Sequence, residues 1–175
     1  MKFRVKRHTV VQPLNKSYRL IPLTQGQNAI VDAEDFDWLN RWNWAACWDS
    51  RNKSFYAYRK TKHIYMSRVV LKCRSNKEVD HKNHDTLDNR KENLRKCTHA
   101  KNCRNRKKHQ NNTSGRKGVT WQKKCEKWQA RIGIDNRRIY LGVFKKLEDA
   151  AKAYDQASIL YHGEFGVRNL PPKAG

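Results

Sequence analysis

Apolar and polar positions change rhythm several times along the chain. Near the N-terminus, SYRLIPL and NAIVD read as two short strands. DAEDFDWLNRWNW then sets Phe36, Leu39 and Trp38 or Trp42 at near-helical spacing; with Asp32 able to cap and acids in the first turn, it predicts a helix. FYAYRKTKHIYM predicts a β-hairpin of two short strands, and MSRVVLKC a short buried helix. After that, KEVDH reads as a strand, NHDTLDNRKE as a polar loop and NLRKC as a second strand. THAKNCRNRKKH follows as a helix with Thr98 at its N-cap.

KKHQNNTSGRKG has no periodicity, is polar and contains Gly, so it reads as a linker, with a boundary near residues 110 to 115. Beyond it the rhythm changes to strict alternation. KGVTWQ, KWQARIGI and RRIYLGVF are three strand-like runs, and DNRR between the second and third is a turn signal. In LEDAAKAYDQASILYHG, Ala151, Tyr154, Ala157 (or Ser158) and Tyr161 recur every three to four residues, which predicts an amphipathic helix ended by Gly163. The expected layout is α+β: an N-terminal support region (1–75), a strand-loop-strand-helix core (76–110), a linker (111–114), and a three-stranded antiparallel sheet with one helix laid across it (115–172).

Charge identifies the partner. The 175 residues hold 39 Lys and Arg against 16 Asp and Glu, a formal net charge of +23. A polyanion is the natural counter-charge for such a surface. No apolar run approaches the ~20 residues that span a bilayer, and MKFRVKRHTV has no apolar stretch after its charges. The expectation is therefore an intracellular protein that binds double-stranded DNA, with no membrane and no small-molecule substrate. Six Trp, seven Tyr and five Phe argue for a packed core rather than disorder. From Asn93 to Cys125 there is no acid and there are eleven Lys and Arg. The five cysteines are scattered and odd in number, which suits free thiols. Cys97, His99 and Cys103 are close in sequence, but no Cys-x-x-Cys pair exists, so a structural zinc is not expected.

The candidate chemistry lies in EVDHKNHDTLDNRKENLR, residues 78–95. A metal-assisted phosphodiesterase needs oxygen ligands for a hard divalent ion that keeps most of its water. It also needs a base whose pKa lies near neutrality. Asp80 and Asn102 can supply the oxygens and His81 the base. Neighbours on a strand point to opposite faces, so Asp80 and His81 could share a site only at a strand end, where they are expected. Asp88 and Asn89 are expected to close the loop by side chain to backbone bonds. His84 reads as a solvated loop residue and His99 as first-turn helix surface.

VDH…LDNRKENLR…N resembles the HNH endonucleases, and within them the homing endonucleases of phages and mobile introns. Their pattern is an Asp-His pair, an Asn twelve residues after the His and a final Asn or His nine further on, and here those intervals fall on His81, Asn93 and Asn102. The resemblance implies a ββα-metal core, with Asp80 and Asn102 as metal ligands, His81 as general base and Asn93 steadying the loop and the imidazole. It implies one divalent ion per site, Mg(II) with Mn(II) as the alternative, since Asn at the last position keeps an oxygen ligand. The group often has Met-His-Arg upstream. Here Met66-Ser67-Arg68 stands instead, which leaves Arg68 as a candidate phosphate ligand.

KGVTW…KWQARI…YLGVF…DAAKAYDQAS…G…N, about residues 114 to 170, resembles the APETALA/ethylene-response-factor DNA-binding domain of plant transcription factors. That resemblance implies that the sheet enters the major groove. Alternation directs Trp128, Ala130, Ile132 and Ile134 towards the helix and Gln129 and Arg131 outwards, while Ile139 and Leu141 alternate with Arg138 and Tyr140. Thr120 and Gln122 are outward candidates on the first strand, with Lys117 beside them. Lys101, Arg104 and Lys124 complete the expected DNA contacts. Arg suits guanine and Gln suits adenine edges, while Lys and Tyr mostly hold phosphate. The expected function is a DNA endonuclease addressed by its sheet, a monomer with a dimer as the alternative; one site per chain implies one strand cut per event, and a double-strand break would need a dimer or a second binding event. Its rivals are a DNA-binding regulator with an inactive core, and a restriction or defence nuclease.

Overall fold

β1 (Tyr18–Pro22) and β2 (Asn28–Asp32) pair antiparallel with Tyr18 opposite Asp32, joined by a turn in which Leu23 N donates to Gln27 O at 2.8 Å. This computed structural model describes residues 7–14, 17–109 and 111–171. They fall into two units, Met1–Thr98 and His99–Gly175.

In the first unit α1 (Ala33–Asn40) follows β2 directly. Asp32 stands at the N-cap but its side chain makes no cap bond. Its Oδ2 accepts instead from Lys91 N at 2.8 Å, so the expected cap is a tie to the distant polar loop. Glu34 and Asp35 in the first turn remain to favour the positive end of the helix. Leu39 is fully buried, worth about 1.5–3 kcal/mol. Trp42, expected near the buried stripe, is 48% exposed. The helix ends before it, and the Arg59 guanidinium covers its ring at 4.4 Å.

β3 (Ala45–Asp49), β4 (Ser54–Arg59) and β5 (Ile64–Tyr65) form an antiparallel sheet in chain order. The sequence predicted β4 and β5 but not β3. AACWD hides its period because Trp48 on the core-facing side is 50% exposed. Ala46 and Ala57 point into a core shared with Ile21, Val31, Leu39 and Trp44. α2 (Met66–Val70) covers it with Met66 and Val70. β6 (Glu78–His81) and β7 (Leu94–Cys97) pair antiparallel, with His81 opposite Leu94 and Asp80 opposite Arg95.

In the second unit α3 (His99–Arg104) is six residues long, not the twelve of the expected helix. The residues after it, Arg106, Lys107 and Lys108, repel Arg104 and one another without intervening acids. Lys117 Nζ donates to Arg104 O (2.8 Å) and Arg106 O, which closes the helix end. The polar stretch that follows is organised by Ser114, whose Oγ donates to Arg116 O (2.9 Å) and Val119 O (2.7 Å).

β8 (Val119–Gln122), β9 (Lys127–Ile134) and β10 (Arg137–Phe144) make an antiparallel sheet with β9 central. Asp135 and Asn136, both at positive φ, form the two-residue turn between β9 and β10. The register shifts between Tyr140 and Gly142, a bulge that places Val143 rather than Gly142 opposite the outward Gln129. α4 (Leu147–His162) lies on the inner face through Ala150, Ala151, Tyr154, Ala157 and Ser158. Tyr161, expected on that face, is 43% exposed. His162 takes the place and bonds Gly133 O at 2.9 Å. Gly118 is where strand and helix meet most closely: its φ is +72°, and a Cβ there would lie 2.2 Å from the Tyr154 ring.

Candidate functional site

β6 ends on Asp80 and His81, both buried, at 5% and 6% exposure. Strand pairing explains how Asp80 is tolerated there. Its antiparallel partner is Arg95, whose Nε and Nη2 both reach Asp80 Oδ2 at 2.7 Å. A buried carboxylate needs such a fork to offset its lost hydration. Arg95 was not among the expected site residues. Its only signal is register, which a loop of this length does not fix.

The loop from Lys82 to Asn93 is held by its own polar side chains. Asp88, 2% exposed, accepts from Arg90 Nε and Nη2 at 2.8 Å each and from Asn83 Nδ2 at 3.0 Å. Burial pushes the Asp88 carboxyl up, but the Arg90 bonds and charge and the Asn83 bond outweigh it and hold it below its ordinary value. Asp85 Oδ1 accepts Leu87 N at 3.0 Å. The loop is also sewn to the edge of β2. Ile30 N donates to Leu87 O at 2.8 Å, and Asn89 N donates to Ile30 O at 2.7 Å. Lys91 adds ion pairs to Glu34 (2.6 Å) and Asp35 (2.9 Å).

Asn93, just before β7, bridges the two ends of this loop. Its Oδ1 accepts Asn83 N at 3.0 Å and its Nδ2 donates to Asp88 O at 2.8 Å. The Asn89 side chain accepts a hydrogen bond from the imidazole, one that raises the His81 pKa, and Asn89 is a second residue the sequence did not mark for that role. Asn89 also donates to Leu87 O at 3.0 Å. Burial lowers the His81 pKa, opposed by the Asn89 bond and the charges of Asp80, Asp85 and Asp88. The neutral ring, able to take a proton, is thus favoured near pH 7. Tyr56 stands edge-on to that ring, with centroids 6.3 Å apart. His84 sits in the turn at positive φ, its N donating to His81 O at 3.1 Å.

Asp80, His81 and Asn93 therefore come together at the open end of β6 and β7. Asn102 is the fourth residue of α3, carried by the second unit. A carboxylate and a carboxamide oxygen suit a hard, largely hydrated divalent ion. Among the described residues no group of three or more His, Cys, Asp or Glu is gathered that could hold a metal, and the five cysteines are free. Arg68 does not point to solvent. Its Nη1 donates to Lys77 O (2.7 Å) and Nη2 to Arg74 O (2.6 Å), so it shapes the turn that leads into β6.

The outward face of the second unit's sheet gathers Thr120, Gln122, Gln129, Arg131, Arg138 and Tyr140, as strand alternation requires. Tyr140 lies opposite Arg131, and Gln122 Nε2 donates to Gln129 Oε1 at 3.1 Å. Tyr140 is 56% exposed, and Lys124 is exposed in the turn between β8 and β9. Three other cations expected at DNA have internal partners. Lys117 Nζ turns inward to the end of α3, and its desolvation lowers its pKa to about 8. Arg104 pairs with Asp135 at 3.1 Å. Lys101 sits 5.3 Å from the Phe165 ring. No helix among the described residues is long and apolar enough to cross a membrane.

Comparison with known proteins finds two separate likenesses in the chain. Residues 72–104 match the family described as HNH endonuclease. Separately, 58 residues are 43% identical to the APETALA2-like protein 2 of Oryza sativa subsp. indica, covering 32% of this chain and 13% of that protein. The AP2-like ethylene-responsive transcription factor ANT of Arabidopsis thaliana is 45% identical over 56 residues, 31% of this chain and 10% of that protein. The chain thus spans only a small part of the curated relatives it matches, and its likeness is to an HNH endonuclease segment and to a segment of AP2-like proteins.

Proposed function

We propose that the protein is a metal-dependent DNA endonuclease of the HNH type, addressed to its target by the sheet β8–β10. The observation that carries this reading is the buried Asp80-His81 pair at the end of β6, steadied by Asn93 and Asn89, inside the stretch similar to HNH endonucleases. His81 is the general base that takes the proton from the attacking water. Asp80 and Asn102 would hold one divalent ion, Mg(II) before Mn(II). When bound, that ion stabilises charge on the phosphoryl and leaving oxygens. Arg95 keeps the Asp80 carboxylate oriented, and Asn93 keeps the loop closed over the strand ends. The products are a 5′-phosphate and a 3′-hydroxyl.

The similarity to AP2-like proteins and the net charge of +23 support duplex DNA as the partner of the sheet. Arg131 and Arg138 suit guanine edges, Gln122 and Gln129 suit adenine, and Tyr140 and Lys124 hold phosphate. The resemblance to phage and intron nucleases makes homing the biological role, with an intronless copy of the host locus as target. The test is nicking of supercoiled plasmid with Mg(II). Wild type converts it to open circles, and His81→Ala loses roughly two to four orders of magnitude in rate with unchanged gel-shift affinity. If both proteins bind DNA and neither nicks it, the reading is wrong and the chain is a binding protein. Cleavage mapped on the host's intronless locus tests the homing role.

A further inference from the structure

The sheet β3–β4–β5 has two faces. One closes the core through Ala46 and Ala57. The other carries Tyr56 and Tyr58 of β4 and Tyr65 of β5, with Tyr58 directly opposite Tyr65. These rings are only part-buried, and Tyr65 is 40% exposed. They stand in a row. Tyr56 and Tyr65 are 5.7 Å apart between centroids, and Tyr65 and Tyr58 are 5.2 Å apart. The row starts at the nuclease histidine, because Tyr56 meets the His81 ring edge-on at 6.3 Å. It ends at His63, whose Nδ1 lies 2.8 Å from the Tyr58 hydroxyl.

Charge follows the row. The 3-10 turn Lys60–Lys62 at its far end exposes two lysines. Arg51 and Lys53 are exposed in the turn between β3 and β4. The acid on this face, Asp49, is turned into its own loop, accepting Arg51 N at 2.9 Å and Asn52 Nδ2 at 3.1 Å. Burial raises the phenol pKa of Tyr56 and of Tyr65, so both hydroxyls stay neutral donors that do not repel phosphate. Exposed aromatic faces flanked by cations are how proteins carry a nucleic-acid strand. Cross-strand aromatic pairing accounts for sheet stability, but not for leaving Tyr65 open in the middle of a row that leads to the base.

We propose that Tyr56, Tyr65 and Tyr58 form a rail for the DNA strand being cut, with Tyr65 stacking on a nucleotide about three positions from the scissile phosphate at about 3.4 Å per nucleotide. This rests on the nuclease reading of His81 for its place in the reaction, but its contact with DNA is separately measurable.

The test uses the full chain and a duplex with 5-iodouracil in place of thymine, irradiated and digested for mass spectrometry. A crosslink at Tyr65 is expected, retained in Tyr65→Phe and lost in Tyr65→Ala. In nicking assays Tyr65→Ala raises KM roughly ten- to hundredfold, the size of one lost stacking contact, with kcat within about twofold. Tyr65→Phe behaves as wild type. Crosslinking at the sheet β8–β10 alone, with none between residues 54 and 65, overturns the rail. So does an unchanged KM in Tyr65→Ala. A Tyr65 crosslink in a protein that never nicks leaves the rail standing and removes the nuclease reading instead.

Discussion

Replacing Asp88 by Asn isolates the electrostatics of the loop that frames the site. The side chains have the same shape, so packing is preserved. In the native loop Oδ1 accepts Arg90 N (3.3 Å) and Nε (2.8 Å), and Oδ2 accepts Arg90 Nη2 (2.8 Å) and Asn83 Nδ2 (3.0 Å). A carboxamide in either orientation turns its NH2 towards two of these donors. Two bonds are lost, at least one of them charge-assisted and worth about 1.5–3 kcal/mol. Arg90 is 29% exposed along its side chain, so water recovers part of the loss, and the net deficit is about 2–3 kcal/mol. In a unit of this size that lowers Tm by roughly 10 °C or more.

The sign of the pH dependence follows from the depressed Asp88 pKa. Its stabilisation is complete above the unfolded carboxyl pKa of about 3.9 and fades as pH falls through the lower folded value. Urea unfolding of wild type and Asp88→Asn at stepped pH should give curves that are separate at pH 7 and draw together below about pH 4. A deficit that is the same at both ends, or below about 0.5 kcal/mol at pH 7, would refute this account of the loop.

Gly118→Ala forces a Cβ into the Tyr154 ring at φ +72°, and should destabilise the second unit by about 2–4 kcal/mol; Gly163→Ala meets nothing within 4 Å but strains a backbone at φ +55° and ψ −132°, and should lose about 1–3 kcal/mol, both read by thermal unfolding. Arg131→Ala should relax discrimination at one base position by about 1–3 kcal/mol in competition gel shifts, whereas Lys124→Ala should weaken all sequences alike. Asp155→Ala removes the acceptor for Asn169 N (2.7 Å) and Leu170 N (2.9 Å). Trypsin should then cut at Arg168 faster than in wild type, and an equal rate would count against that clasp.

Much of this architecture is legible in the order of the amino acids. Strands β8, β9 and β10 announce themselves because one face is buried and the other wet, so every second residue is apolar. Strand β3 does not, because Trp48 sits on the core side yet half in water. The Asp80-His81-Asn93 set is proposed on the resemblance to HNH endonucleases, whose intervals fall on these residues. Its supports are not legible in this way. The bond from Lys91 N to Asp32 joins residues 59 positions apart, and contacts at that distance leave no periodic trace. Arg95 depends on strand register across a loop whose length does not set it. Arg68 and Lys117 show a different limit: a long cationic stem reads as a phosphate ligand, but its head can equally well meet main-chain carbonyls.

The seam between Ile30 and the Leu87–Asn89 stretch bears on how such a segment is moved between proteins. The span that matches HNH endonucleases begins at residue 72, yet its loop borrows hydrogen bonds from β2, some forty residues earlier in the chain. A transplant cut at residue 72 would carry Asp80, His81 and Asn93 and leave behind the edge that holds their loop. The smallest portable cassette therefore starts before Tyr18, and recombination that respects this seam should yield working chimaeras where cuts inside it do not.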